Sequence, residues 1–130
     1  MDIDLRDLAK KESERVEWKE DGTYDKITQS IVRTLSAFAN DIANMGGGYV
    51  VCGAKEIKDE YGFPTVSYKG ISARKVQELR GKVVQHCLSY VRPSISPIIE
   101  ELENPDDEST RILIFLSIST QEAHTYRDGE

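Results

Sequence analysis

Ile27, Ile31, Leu35, Phe38 and Ile42 recur at intervals of four, four, three and four residues, and Gly46-Gly47-Gly48 follows, directly before Tyr49-Val50-Val51-Cys52. The spacing predicts an amphipathic helix with one apolar stripe, a tight exit through the glycines and a buried strand that ends at Gly53. Such a helix must bury its stripe against a sheet, which fixes the class of fold before any other segment is read.

The flanking segments fit that frame. Asp4 can cap a short first helix carrying Leu5, Leu8 and Ala9 and running to about Glu12. Val16 and Trp18 alternate with Glu17 and Lys19, so a strand is expected with Glu17 and Lys19 together on the side away from the apolar pair. The polar stretch Lys55 to Gly70, with Gly62 and Pro64 as turn formers, suits an exposed hairpin or loop with at most short strands. Ser72 can cap another helix, in which Val76, Leu79, Val83 and Cys87 line one side and Arg92-Pro93 marks the exit. Ile98 to Leu102 and Arg111 to Ile118 read as an antiparallel hairpin across the acidic turn Asn104-Pro105-Asp106-Asp107. The expected fold is α+β, with a mixed, largely antiparallel sheet and about three helices packed against it. No repeat, low-complexity tract or long linker divides residues 1–130, and a chain of 130 residues can bury roughly two thirds of its unfolded surface as one domain.

The longest aliphatic run, Ile112 to Leu116, is far shorter than the roughly 20 residues of a membrane-spanning helix. The acidic start Met1-Asp2-Ile3-Asp4 lacks the basic and apolar regions of a targeting leader, so a cytoplasmic location is expected. Cys52 and Cys87 are too few for a disulfide framework and read as reduced core thiols.

A formal charge of −6 opposes contact with polyphosphate, yet the charge is unevenly spread. Six carboxylates, Glu100, Glu101, Glu103, Asp106, Asp107 and Glu108, fall in one segment without a base among them. Between Lys69 and Lys82, by contrast, Lys69, Arg74, Lys75, Arg80 and Lys82 face Glu78 alone. That stretch is either a solvated helix face or a phosphate-contacting patch.

Gly46-Gly47-Gly48 lies between a helix and a strand, the reverse of the strand-to-helix order of a phosphate loop, and the required lysine does not follow. A tight helix exit with close backbone packing is the better account. Glu12, Glu14 and Glu17 cluster where the first helix meets the first strand, and grouped carboxylates are what a divalent cation needs to activate water on a phosphodiester. A chain with 23 acidic residues also produces such a group by chance. His86 and His124 have no carboxylate or cysteine at ligand spacing, and His86 reads as a boundary residue of its helix.

Two segments together resemble a known family. Glu12-Ser13-Glu14-Arg15-Val16-Glu17-Trp18-Lys19 is similar to the E-S-x-x-x-E-[FW]-K opening of the Schlafen AlbA-like domain, a DNA-binding domain of bacterial transcriptional-regulator-like proteins and of Schlafen proteins. The run from Phe38 to Gly53 is similar to its second signature, F-A-N-D-x-x-N-x-G-G-G-Y-[IV]-V-x-G, with Asn40, Asn44, Gly46, Gly47, Gly48 and Gly53 in the motif positions. The likeness covers roughly Leu8 to Ile118.

The resemblance implies a nucleic-acid-binding domain of a transcriptional regulator, with DNA or RNA as partner and Lys19, Arg74, Lys75, Arg80 and Lys82 as candidate phosphate contacts. The ATP-binding label of some members is not supported by the reversed glycine context. In the Schlafen branch the domain resembles a ribonuclease dependent on magnesium or manganese. Glu12 and Glu17 match two of its carboxylates, while the third place falls near Lys55, with Glu56 as the substitute. A lysine there would repel a cation. Family members usually continue past a segment like Tyr126 to Glu130 into a further strand, which implies an excised domain whose downstream modules are missing and whose sheet edge can pair with a second copy. A third alternative, a non-catalytic interaction or oligomerisation domain, fits the charge of −6 and the acidic hairpin.

Overall fold

In the computed structural model of the chain, residues 16–20, 26–40, 47–117 and 123–126 are described. The apolar stripe forms α1 (Ile27–Asn40), and the Ser72-capped stripe forms α2 (Ala73–Tyr90). Ser72 accepts a hydrogen bond at Oγ from the Lys75 amide, as a cap at that position should. Among the described residues nine strands complete the order: β1 (Val16–Lys19), β2 (Gly48–Cys52), β3 (Ala54–Lys58), β4 (Pro64–Tyr68), β5 (Ile71–Ser72), β6 (Val91–Arg92), β7 (Ile98–Asn104), β8 (Asp107–Ser117) and β9 (Thr125–Tyr126).

The main sheet runs β1-β2-β8-β5, with β7 on the opposite edge of β8. Among the described residues only β1 and β2 are parallel; β8 is antiparallel to β2, β5 and β7. The α+β class and the mixed, largely antiparallel sheet therefore stand. Among the described residues there are two helices rather than about three, because the expected Asp4 to Glu12 helix lies outside them. The two-residue strands β5, β6 and β9 were not expected, since two residues carry no alternation to read.

Both helices cover one side of the sheet. Ile31, Leu35, Val76 and Val83 meet Val50, Cys52, Leu113 and Phe115 there in one core. On the other side Val16, Val51, Ala54, Ile112 and Ile114 form a smaller cluster, against which Val66 and Tyr68 of the β3–β4 hairpin pack. Ile112 to Ser117 is buried without a break because β8 is covered on both sides, which explains its uninterrupted apolar run. Full burial of Leu35 or Phe115 contributes about 1.5–3 kcal/mol each.

Two glycines hold the corner between these layers. A Cβ on Gly48 would sit 2.6 Å from the Phe38 ring, so the end of α1 can lie on the start of β2 only over a bare backbone. Gly53, at φ +94°, donates to the Lys19 carbonyl at 2.7 Å and accepts from the Lys69 and Gly70 amides at 3.0 and 2.8 Å. It thereby ties β1, β2 and the far end of the hairpin at one point. Gly47 also has a positive φ, of 68°. Asn44 and Gly46 lie outside the described residues.

Candidate nucleic-acid interface

The charges divide by layer. Arg33 is the one charged residue of α1, and α2 carries Arg74, Lys75, Arg80 and Lys82 against Glu78. Five cations thus meet a single carboxylate on the two described helices of a chain whose total charge is −6. Helical spacing then sorts them. Lys75 and Lys82 are two turns apart on the flank of α2 that carries His86 and Ser89, whereas Arg80 projects from the opposite flank with Gln77 and Val84. Glu78 takes up part of the charge near the N-terminus, lying 3.8 Å from Arg74 Nε and 3.4 Å from Lys75 Nζ. Among the described residues, Arg80 and Lys82 have no ion-pair partner.

Lys19 belongs elsewhere. Register with Cys52 turns it to the helix side at the end of β1, where its ammonium donates to Ser30 Oγ at 2.7 Å and lies 3.5 Å from Glu17. Only 14% of its side chain is exposed, so the structure does not bring it together with the α2 cations as a surface.

Between the helices runs an open groove of ≈ 620 Å³, lined by Thr28 and Gln29 of α1 and by Gly81, Lys82, Gln85, His86, Ser89 and Tyr90 of α2. No carboxylate lines it among the described residues. At its end His86 Nε2 is 2.7 Å from the Tyr126 hydroxyl, the His86 ring lies 4.4 Å from that of Tyr90, and the Arg33 guanidinium stands 5.5 Å over the Tyr126 ring. Tyr126 is held there by Asn40, whose side-chain amide donates to the His124 carbonyl at 2.8 Å while its carbonyl accepts from the His124 amide at 2.6 Å. The motif asparagine therefore acts as a clamp on β9, which also pairs with β6. Sequence reasoning missed Gln29, Arg33, Gln85, Tyr90 and Tyr126. Polar residues on a helix flank have no periodic signature, and the groove joins positions far apart in the chain.

The carboxylates named for a metal do not converge among the described residues. Glu12 lies outside them, and Glu17 faces the helix side with Lys19. Glu56 stands on the exposed β3–β4 hairpin in register with Val66, on the side that packs into the second core. Lys55 reaches within 3.8 Å of Glu20. No group of three or more histidine, cysteine or acidic side chains among the described residues could hold an ion. For magnesium or manganese, Glu17 and Glu56 are thus a poor fit as partners.

The family model of Schlafen, AlbA_2 matches residues 12–130. The chain belongs to this family. No curated protein matches it. Among solved structures, the Schlafen AlbA_2 chain is similar to the N-terminal domain of a protein related to the ATP-dependent DNA helicase RecG from Nitrosomonas europaea. The TM-score is 0.65 at 16% identity, over 92% of this chain and 74% of that one, a likeness of fold. It also matches the DIP2311 protein from Corynebacterium diphtheriae at a TM-score of 0.47 and 16% identity, over 82% of this chain and 21% of the other. No helix among the described residues is long and apolar enough to cross a membrane.

Proposed function

We propose that this Schlafen AlbA_2 domain binds nucleic acid through its helical layer, as the DNA- or RNA-contacting part of a cytoplasmic transcriptional regulator. The observation that carries the reading is the excess of cations on α1 and α2 in an otherwise anionic molecule, with Lys82 lining a groove that has no carboxylate among its described residues. Phosphate contacts of this kind fix position without reading bases, and their strength falls steeply with salt.

Fluorescence anisotropy with a labelled oligonucleotide over a salt series tests it. The double variant Lys75→Glu/Lys82→Glu is expected to bind at least tenfold more weakly at low salt. The slope of log affinity on log salt should fall by about 1.8 if two phosphate contacts go. Unchanged affinity and slope would remove the helical layer as the interface.

A further inference from the structure

The α1–α2 groove offers more than charge. Tyr90 lines it and is partly exposed, and the His86 ring packs beside Tyr90 with an interplanar angle of 45°. Gln29 and Gln85 add side-chain amides, each able both to donate and to accept. Lys82 supplies a cation on the same wall. An aromatic ring, neutral hydrogen-bonding groups and one cation, with no carboxylate among the described residues, make up the set that receives a base and its phosphate from a single strand.

We infer that the groove takes an unpaired base of single-stranded nucleic acid, which stacks on Tyr90 beside His86 while Lys82 meets the adjoining phosphate. This rests on the nucleic-acid reading above and adds which form is bound. In a duplex both faces of each base are covered by its neighbours, so Tyr90 can stack only on a base that has left the helix or was never paired. The glutamine amides present donor and acceptor alike, and the groove therefore discriminates weakly between bases. Its volume, ≈ 620 Å³, lies within the range of small-ligand clefts and leaves room for a base and its sugar.

Gly81 provides a way to close the groove without disturbing the fold. It borders the groove, is exposed, and a Cβ built there meets nothing within 4 Å. Gly81→Leu crowds the mouth while improving helix propensity in α2.

The test compares three labelled probes of about 12 nucleotides, a length typical of single-strand sites, by anisotropy at low salt. They are a single-stranded DNA, an abasic strand of the same length, and a duplex. The wild-type domain should bind the base-bearing strand roughly 5- to 150-fold more tightly than the abasic strand, the ratio for one stacked base. Tyr90→Leu and Gly81→Leu should bring that ratio close to one with abasic affinity unchanged, and Tyr90→Phe should keep it. Equal wild-type binding of base-bearing and abasic strands overturns the groove while leaving the cationic interface standing. Binding to none of the probes, nor to a single-stranded RNA of the same length, overturns both. A ratio that persists in Tyr90→Leu overturns the inference, and if that variant fails to fold, Gly81→Leu decides by the same criterion.

Discussion

On β8, Arg111 stands in register with Glu103 and lies 3.5 Å from both Glu103 and Glu101, so one cation is enclosed by two carboxylates of the neighbouring strand. On α2 the proportions are reversed: of four cations only Arg74 and Lys75 pair with the one carboxylate, Glu78. The difference follows from how each element presents side chains. Strand pairing sets residues of two segments face to face, and opposite charges there cancel locally. A helix fans successive residues around its axis, so a cluster of bases in sequence becomes an outward field with few internal answers. An acidic hairpin and a basic helix can thus coexist in one small domain, the first enclosing its one cation between its own carboxylates and the second carrying cations that point outward.

The two layers also meet at a dry seam, and testing it should give the largest effect. Cys52 of β2 and Cys87 of α2 both enter the helix-side core. Burial pushes the Cys52 thiol from an ordinary 9.0 up to about 12, although the Lys19 ammonium pulls the other way, and burial pushes Cys87 up to about 11. Both thiols stay neutral in the folded chain while the unfolded chain releases their protons from about pH 9. The unfolded state then binds fewer protons, so stability declines with rising pH until the folded values are reached. The expected loss is about 1.4 kcal/mol per pH unit for each thiol. Urea denaturation under reductant at stepped alkaline pH measures it, and Cys52→Ala/Cys87→Ala should flatten the slope. A slope identical in that variant would mean the seam is open to water.

How much of this could be read from the chain depends on the kind of signal each part leaves. The stripe of Ile27, Ile31 and Leu35 and the alternation of Val16 with Glu17 reflect burial on one side, so both helices and the main strands were legible. The same alternation put Glu17 beside Lys19, and their ion pair is its consequence, although Lys19 was also expected to face a phosphate. β9 was not legible. Two residues are too few for a pattern, and their place comes from Asn40, 84 residues before His124 in the chain. The groove was hidden for a related reason, since Gln29, Gln85 and Tyr90 converge only once α1 and α2 lie side by side.

The sheet's side of the comparison can be broken at Arg111. Arg111→Glu puts a third carboxylate beside Glu101 and Glu103, replacing two attractions by repulsions on a partly exposed face. A loss of about 1 kcal/mol is expected, since such pairs are screened by water. It should appear in thermal denaturation as a decrease of about 3–5 °C for a domain of this size, shrinking at high salt. Affinity for an oligonucleotide should not change, because Arg111 lies outside the helical layer. A weaker affinity with unaltered melting would place the interface on the hairpin instead.

The smallest effect is expected at Arg80, and it is the sharpest test of which part of the helical layer faces a strand. Arg80 and Lys82 are two residues apart, but a turn of about 200° places them on opposite flanks of α2. A helix with its side chains is about 10–12 Å across, close to the Debye length of about 8–10 Å at moderate salt. A charge reversed on the far flank is therefore largely screened from a phosphate beside Lys82. Arg80→Glu should weaken single-strand binding by no more than about twofold and leave the salt slope intact, whereas Lys82→Glu alone should lower that slope by about 0.7. Both variants carry the same net charge, so a general response to charge would move them equally. If Arg80→Glu matched Lys82→Glu in both affinity and slope, the strand would have to cross the outer surface of α2 instead of following the groove.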